Sequence, residues 1–525
     1  MNKNIILCAD GTGNRGGYTP DSNVFKTYHA VDIHNTEKQQ ISFYDNGVGT
    51  SSNTLLQALS ASIGLGFQSN VCDLYAFLCK NYRAQEDSKN ADKIFAFGFS
   101  RGAATIRALN GLVYDCGIID ASRYSSDTEL ANEVKALVKY YLKVRYKKDD
   151  AALEALRTGK IVSGCKHKRY PASMQFVGVW DTVAALGMPK RTDRTGPIST
   201  LLNRFFNSID KRLNSIFHHR EYQFQLTPNM SRACQALAID DARTSFWPRI
   251  WNELDPDVAH VSVDQCWFAG MHSDVGGSYN RQGMANVPLV WILEEAEKQG
   301  LHFNPGAIAA WKARANGHGK MHDSRSGFGI FYRYHPRDMQ TLCRDECDSN
   351  KKILKKIQVH HSVLSRMYYR TGGYAPRLLA NEFTVVNDDL GEICQINLTK
   401  DKEWNTANYA MQSKIKWLKE FYIAQVLVSL SVVIACVCSL VSPIDEENRT
   451  GFFGGLADAL NVLLPSVLDS AVELWVNQHP HVFGLLLVII ALWWVQRGRL
   501  RRGVVRKAEE KRRLVLNHYA DEPLI

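Results

Sequence analysis

Gly98-Phe99-Ser100-Arg101-Gly102 fits the pattern G-x-S-x-G; it follows the strand-like run Lys93–Phe97 and precedes the helix-like run Ala103–Leu109. A serine on such a strand-to-helix turn has its hydroxyl held out at a helix N-terminus, as acyl transfer requires of a nucleophile. Serine is a weak nucleophile until a base takes its proton and an acid orients the base. Of the sixteen histidines, His272 lies between the apolar run Val263–Phe268 and the turn Asp274-Val275-Gly276-Gly277, while Asp181 closes the run Met174–Trp180. The chain order Ser100, Asp181, His272 is that of α/β-hydrolases. Asp274 and Asp10 compete with Asp181 for the acid's place. An oxyanion hole needs backbone N–H groups. Arg101 supplies one candidate, and the loop Gly11-Thr12-Gly13 another.

The elements that must position these groups are short apolar strands alternating with helical patterns, which predicts an α/β fold with a mostly parallel sheet. Strands are expected at Ile5–Ala9, Ile41–Tyr44, Lys93–Phe97, Met174–Trp180 and Val263–Phe268. Each ends in a cluster that carries Gly, Asp, Ser or His, and parallel strands bring such ends to one rim, where open α/β sheets bind ligands. The stretch Leu201–Phe217 carries a helical apolar stripe, as a helix packed on the sheet, a mobile lid or a membrane-contacting helix, within an insertion at about 187–232. Residues 301–400 show no regular pattern and are assigned no fold of their own.

The stretches Ala9–Asn14, Tyr44–Thr50, Gly98–Ala103, Val179–Val183 and Trp267–Gly277 together resemble the bacterial α/β-hydrolase family that includes the first family of type VI secretion lipase effectors. Weaker echoes are Ala236–Asp241, His322-Asp323-Ser324 and Tyr374-Ala375-Pro376, so the resemblance covers residues from about 3 to 380. It implies a phospholipase with Ser100 as nucleophile and Asp181 and His272 as its partners. It also implies an antibacterial or defence effector, with an immunity or regulatory protein as partner. Gln235 departs from the family, which commonly carries His there.

The 63 Lys and Arg against 53 Asp and Glu give a net charge of only +10, which does not point to nucleic acid. Twelve cysteines without paired spacing read as reduced thiols. The N-terminal apolar run is too short for the core of a signal peptide. Phe421–Val441 has no charged residue and is long enough to span a bilayer. A second apolar stretch lies at about 476–495. The chain is thus expected to consist of a catalytic domain over 1–400 and a membrane anchor over 401–525, with a basic C-terminal tail. Removal of 418–525 is expected to release a soluble hydrolase. Nine bases in 497–525, against six acids and one base in 442–480, put both termini and the catalytic domain on the cytoplasmic side of a bacterial inner membrane, with the 442–480 loop outside.

These features point to a membrane-anchored serine hydrolase acting on phospholipid acyl esters, with no cofactor and no metal. Two alternatives remain at the sequence level. One is a metal-dependent hydrolase whose ion is collected by Asp10, Asp45, Asp181, His272 and Asp274. The other is a non-catalytic membrane sensor.

Overall fold

The structure is a computed structural model that describes residues 2–47, 66–83, 91–159, 169–183, 222–326, 332, 334–344, 356–388, 391–439, 451–463, 469–473, 476 and 480–519. The stripe at Leu201–Phe217, most of the 187–232 insertion and Val48–Thr50 lie outside the described residues.

The strands are β1 (Asn4–Ala9), β2 (Gln40–Asp45), β3 (Lys93–Phe99), β4 (Ile118–Ile119), β5 (Arg169–Tyr170), β6 (Met174–Trp180), β7 (Met230–Ala238), β8 (Ser262–Phe268), β9 (Gln358–His360), β10 (Glu382–Asn387) and β11 (Gly391–Asn397). Nine of them form one sheet in the order β11-β10-β9-β8-β7-β6-β3-β1-β2, while β4 and β5 pair separately. Every pairing in the large sheet is parallel except β10 with β11. This is an α/β fold. All five expected strands are present within one or two residues, because strands covered on both faces read as nearly continuous apolar runs.

The strands that escaped notice have physical reasons. β7 reads Met-Ser-Arg-Ala-Cys-Gln-Ala-Leu-Ala, yet most of it is buried. Its arginine is neutralised in place, since Arg232 meets Asp264 and Glu295 at 2.5 Å each. β9 has three residues, and β10 and β11 form an edge hairpin. Part of the 301–400 region thus forms the three strands at the far edge of the sheet.

Helix α1 (Asn23–Ala30) follows β1, α2 (Phe67–Asn81) precedes β3, and α3 (Arg101–Cys116) follows β3. The chain leaves β1 for the edge at β2 and returns to β3 on the other side of β1. That reversal is a topological switch point, where a crevice opens beyond the strand ends. Asp10 and Ser100 stand on its two sides.

Two long helices, α4 (Lys402–Ser439) and α5 (Pro480–Tyr519), pack against each other and against the domain. On α4, Trp404, Ala407, Met411, Ile415 and Leu418 are buried at three- and four-residue steps, and Val504, Ala508, Lys511, Val515 and Tyr519 do the same on α5. Trp404, Val515 and Tyr519 share a core with Trp267, Val359 and Phe383. The basic segment after residue 497 is therefore helical and docked. Lys511 is buried, donating to Asn408 Oδ1 at 2.8 Å, and Arg512 donates to the Met367 carbonyl at 2.8 Å. The cut expected to release a soluble hydrolase, removal of 418–525, would strip Val515 and Tyr519 from the core they share with Trp267, Val359 and Phe383. Among the described residues no helix is long and apolar enough to cross a membrane. The side chains of 429–439, most of the first expected span, lie outside the described set. In the second, Leu485, Leu487, Val488, Leu492 and Trp494 are exposed.

Val515→Asp would place an unpaired carboxylate in that core at a cost of about 3 kcal/mol or more. The expected outcome is a lower midpoint in thermal unfolding of the full chain, with no such change for the exposed neighbour Arg513→Asp.

Candidate active site

Ser100 is the residue before α3 and adopts φ 58° and ψ −119°, a conformation that a side chain other than glycine's seldom takes. The surroundings hold it there. Ser100 N–H donates to the Trp180 carbonyl at 3.0 Å, and its own carbonyl accepts from Val183 N–H at 3.3 Å, so the end of β6 clamps both sides of the serine. The motif's glycines are required by space. A Cβ on Gly102 would overlap the Ala9 carbonyl oxygen, and one on Gly98 would sit 2.7 Å from Ala103 Cα. Gly11 is also tightly packed, for a Cβ there would be 3.2 Å from Ser100 Cβ. The loop after β1 is thus pressed against the serine. In it, the buried Thr12 hydroxyl has no hydrogen-bond partner among the described residues.

Asp181 sits at the end of β6 with φ 45°, and His272 opens the short helix His272–Gly276 after β8. His272 Nδ1 and Asp181 Oδ2 are 2.5 Å apart, with both side chains buried. Asp181 Oδ1 accepts from Ala238 N–H at 3.0 Å. Phe99 and Phe246 cover the imidazole, with ring centroids at 4.6 and 5.0 Å. Phe99 adjoins Ser100, so the contact brings histidine and serine to the same spot on the rim. His272 Nε2 is buried without a hydrogen-bond partner among the described residues. No Ser100–His272 hydrogen bond is therefore closed, as is common before substrate binds. Burial pushes the His272 pKa below its usual value, and the Asp181 bond offsets part of that.

The sequence gives no hint of the next partner. The Arg337 guanidinium lies flat against Asp181, with Nη1 to Oδ1 at 2.6 Å and Nη2 to Oδ2 at 2.7 Å, and is fully buried. Burial alone would raise the Asp181 pKa; the Arg337 charge and the His272 bond override it and hold the carboxyl well below the usual range. A lone arginine in a stretch without periodicity leaves no spacing signal.

The alternative acids are engaged elsewhere. Asp10 accepts from Gly11 N–H at 2.6 Å, Asn14 Nδ2 at 2.9 Å, Tyr44 OH at 2.6 Å and the Ser22 hydroxyl, and so fixes the β1 loop. Asp274 accepts from His322 N–H at 3.0 Å and pairs with His322 Nδ1 at 2.6 Å. His322 stacks on Tyr279 at 3.9 Å. Asp45 takes the Asn70 amide, and burial pushes it up to about 7. Arg101 is buried and lowered to about 10 by desolvation. Gln235 is the hub of a buried network, with its Oε1 accepting from Thr182 Oγ1 at 2.6 Å and its Nε2 donating to Gln265 Oε1 at 2.9 Å and to the Arg249 carbonyl at 3.1 Å.

Asp10, Asp45, Asp181, His272 and Asp274 do not gather around one point. Among the described residues the one group of three or more metal-ligand side chains is His360, His361 and Asp388, which contains none of them. There, His360 Nε2 faces Asp388 at 3.1 Å and its Nδ1 accepts from Ser362 N–H at 3.3 Å, so both ring nitrogens already have protein partners.

Comparisons with known proteins add to this geometry. The model of the catalytic domain of the T6SS phospholipase effector Tle1-like family matches residues 3–295. An uncharacterized protein of Saccharomyces cerevisiae, YEL023C, is 23% identical over 416 residues, with 58% of this chain and 58% of the yeast protein covered. A solved structure of the Tle1 effector bound to the VgrG spike of the type VI secretion system is 19% identical, covers 54% of this chain and 52% of its own, and superposes with a TM-score of 0.27. The chain thus spans little more than half the length of these relatives.

Gly102→Ala is expected to destabilise the protein by about 2–3 kcal/mol, since rigid backbone opposes the new methyl group. Urea unfolding checks this, with Gly498→Ala, which meets open space on the helical backbone of α5, as a reference that changes less.

Proposed function

Since the chain belongs to the Tle1-like phospholipase effector family, we propose that it is a serine hydrolase cleaving phospholipid acyl esters, an A-type phospholipase acting as an effector, with Ser100, His272 and Asp181 as its triad. The observation that carries this is the 2.5 Å His272–Asp181 pair on the rim that also bears the strained Ser100. His272 Nδ1–H donates to Asp181, which leaves Nε2 as the base. As Ser100 Oγ attacks the ester carbonyl, Nε2 takes the hydroxyl proton and then gives it to the departing alcohol. Water repeats the sequence on the acyl-enzyme and frees the fatty acid. The Arg101 N–H follows the nucleophile and serves the oxyanion, with the Gly11-Thr12 loop pressed alongside.

The helical pair serves as a membrane anchor in this proposal. Two features support it: the exposed apolar side chains Leu485, Leu487, Val488, Leu492 and Trp494 on α5, and the charge contrast between the acidic 442–480 segment and the basic residues after 497. That contrast favours a cytoplasmic catalytic domain with the 442–480 segment outside. Trp493 N–H donates to the Phe421 carbonyl at 3.3 Å, which joins the helices where an interface would lie. Phospholipid is then met at high local concentration.

Ser100→Ala should retain the fold and lose at least about 10³-fold in hydrolysis, and His272→Ala added to it should change little further because triad members act as a unit. Mass spectrometry of lipids incubated with each variant decides this; undiminished fatty-acid release by folded Ser100→Ala defeats the mechanism. The pH profile has a sign as well. His272 must be neutral to act as base, and burial lowers its pKa, so kcat/KM should hold its plateau down to a pH below the free histidine value of about 6.5. A fall that begins above that value counts against His272.

A further inference from the structure

We propose that Arg337 is a positioning residue that balances the buried charge of Asp181, so that His272 rests unprotonated and free to accept the Ser100 proton. The inference rests on the triad proposed above, but its central claim concerns a charge balance that can be measured without turnover. Arg337 lies beyond the stretch matched by the family, in the segment that runs beside residues 241–247. His335 N–H donates to the Ala242 carbonyl at 2.8 Å, Arg337 N–H donates to the Asp241 carbonyl at 3.3 Å, and His335 packs on Trp247 at 4.1 Å. The guanidinium also donates to the carbonyls of Ala238, at 2.5 Å, and Phe246. These contacts fix its plane, and the paired N–H groups fix the carboxylate in turn.

The charges around His272 can be enumerated. Asp181 faces Nδ1, and Asp241 accepts from His272 N–H at 3.3 Å. Asp241 is itself neutralised by Arg243 at 2.6 Å. Asp240 takes the Gly270 N–H and the Tyr374 hydroxyl and is pushed up to about 6 by burial. Asp274 faces His322 instead, and Phe99 and Phe246 cover the imidazole with uncharged rings. Once Asp241 and Arg243 cancel, the balance at the imidazole is set by Asp181 and Arg337. With Arg337 present, Asp181⁻ and Arg337⁺ form a neutral buried pair, and the imidazole has no need of a proton. Without it, a lone buried carboxylate touches a ring that can protonate, and the cheapest remedy is to draw a proton onto His272. An imidazolium cannot serve as the base.

Arg337→Gln and Arg337→Lys in the full-length chain in detergent separate charge from geometry. The readouts are the pH dependence of kcat/KM on a short-chain nitrophenyl ester and the imidazole NMR titration of His272. For Arg337→Gln, the acidic limb and the His272 titration should both rise by at least about one pH unit, so that kcat/KM falls about tenfold at a given pH on the acidic limb and recovers at alkaline pH. Arg337→Lys retains the charge but not the paired geometry, so the limb should stay within a few tenths of a unit of wild type while kcat falls. A folded Arg337→Gln with an unmoved His272 titration overturns the inference. So does a full-unit rise in Arg337→Lys, which also decides the matter if the Gln variant does not fold. If wild type and Ser100→Ala hydrolyse the ester equally, the serine mechanism fails, and the NMR titration still judges the role of Arg337.

Discussion

A carboxylate with no access to water must be met by donors on every side, or it will not stay ionised. Asp181 has no solvent exposure, and its requirement organises this rim. Its donors are the Ala238 N–H at the end of β7, the imidazole after β8, and a guanidinium from the 337 segment. Even its backbone is recruited, since Asp181 N–H donates to the Ala236 carbonyl at 2.8 Å. Three stretches far apart in sequence are thereby fixed to one side chain. Loss of any one donor leaves a charge that burial penalises, so the arrangement is strict in geometry while contributing little net stability.

The sheet behind this rim is less oily than a buried parallel sheet usually is. β7 crosses its middle with Arg232 and Gln235 facing inward, each paired by groups on neighbouring elements. Arg107 on α3 joins this seam by donating to the Phe224 and Arg249 carbonyls at 2.6 Å each and stacking on Trp251 at 4.8 Å. The seam joins α3, which carries the elbow, to Thr182, the residue after Asp181. Serine and acid are therefore held in register by hydrogen bonds with fixed directions, whereas apolar packing alone would tolerate a slide. Glutamine suits position 235 because it both accepts and donates along the seam.

What the sequence made legible follows the same division. Continuous apolar runs identified five strands, and the residues at their ends pointed to Ser100, Asp181 and His272, which parallel topology brings to one rim. The close contacts at Gly98 and Gly102 were legible too, since G-x-S-x-G is a steric pattern before it is a chemical one. Polar strands were hidden, because Arg232 and Gln235 are acceptable in β7 only through partners dozens of residues away. Arg337 was hidden for the same reason: its meaning depends on what it faces. Asp10 and Asp274 looked like Asp181 in sequence and differ from it only in their donors, one fixing a loop and the other His322.

The long helices change how an anchor on this domain would behave. A catalytic unit on a flexible tether samples all orientations, and its encounter with a surface depends on linker length. Here the domain passes into α4 with Trp404 already in the core, and α5 returns to bury Val515 and Tyr519 beside it. Arg325 reinforces the junction, stacking on Tyr334 at 5.3 Å and on Tyr422 of α4 at 4.9 Å while donating to the Tyr332 carbonyl at 2.6 Å. Tyr332 in turn meets Phe246, the ring that packs against His272. The exposed apolar part of α5 is thus held at a fixed attitude to the rim by packed side chains. If that part lies in a bilayer, the angle at which the site meets lipid is a property of the fold, and freedom of the linker has little to do with it.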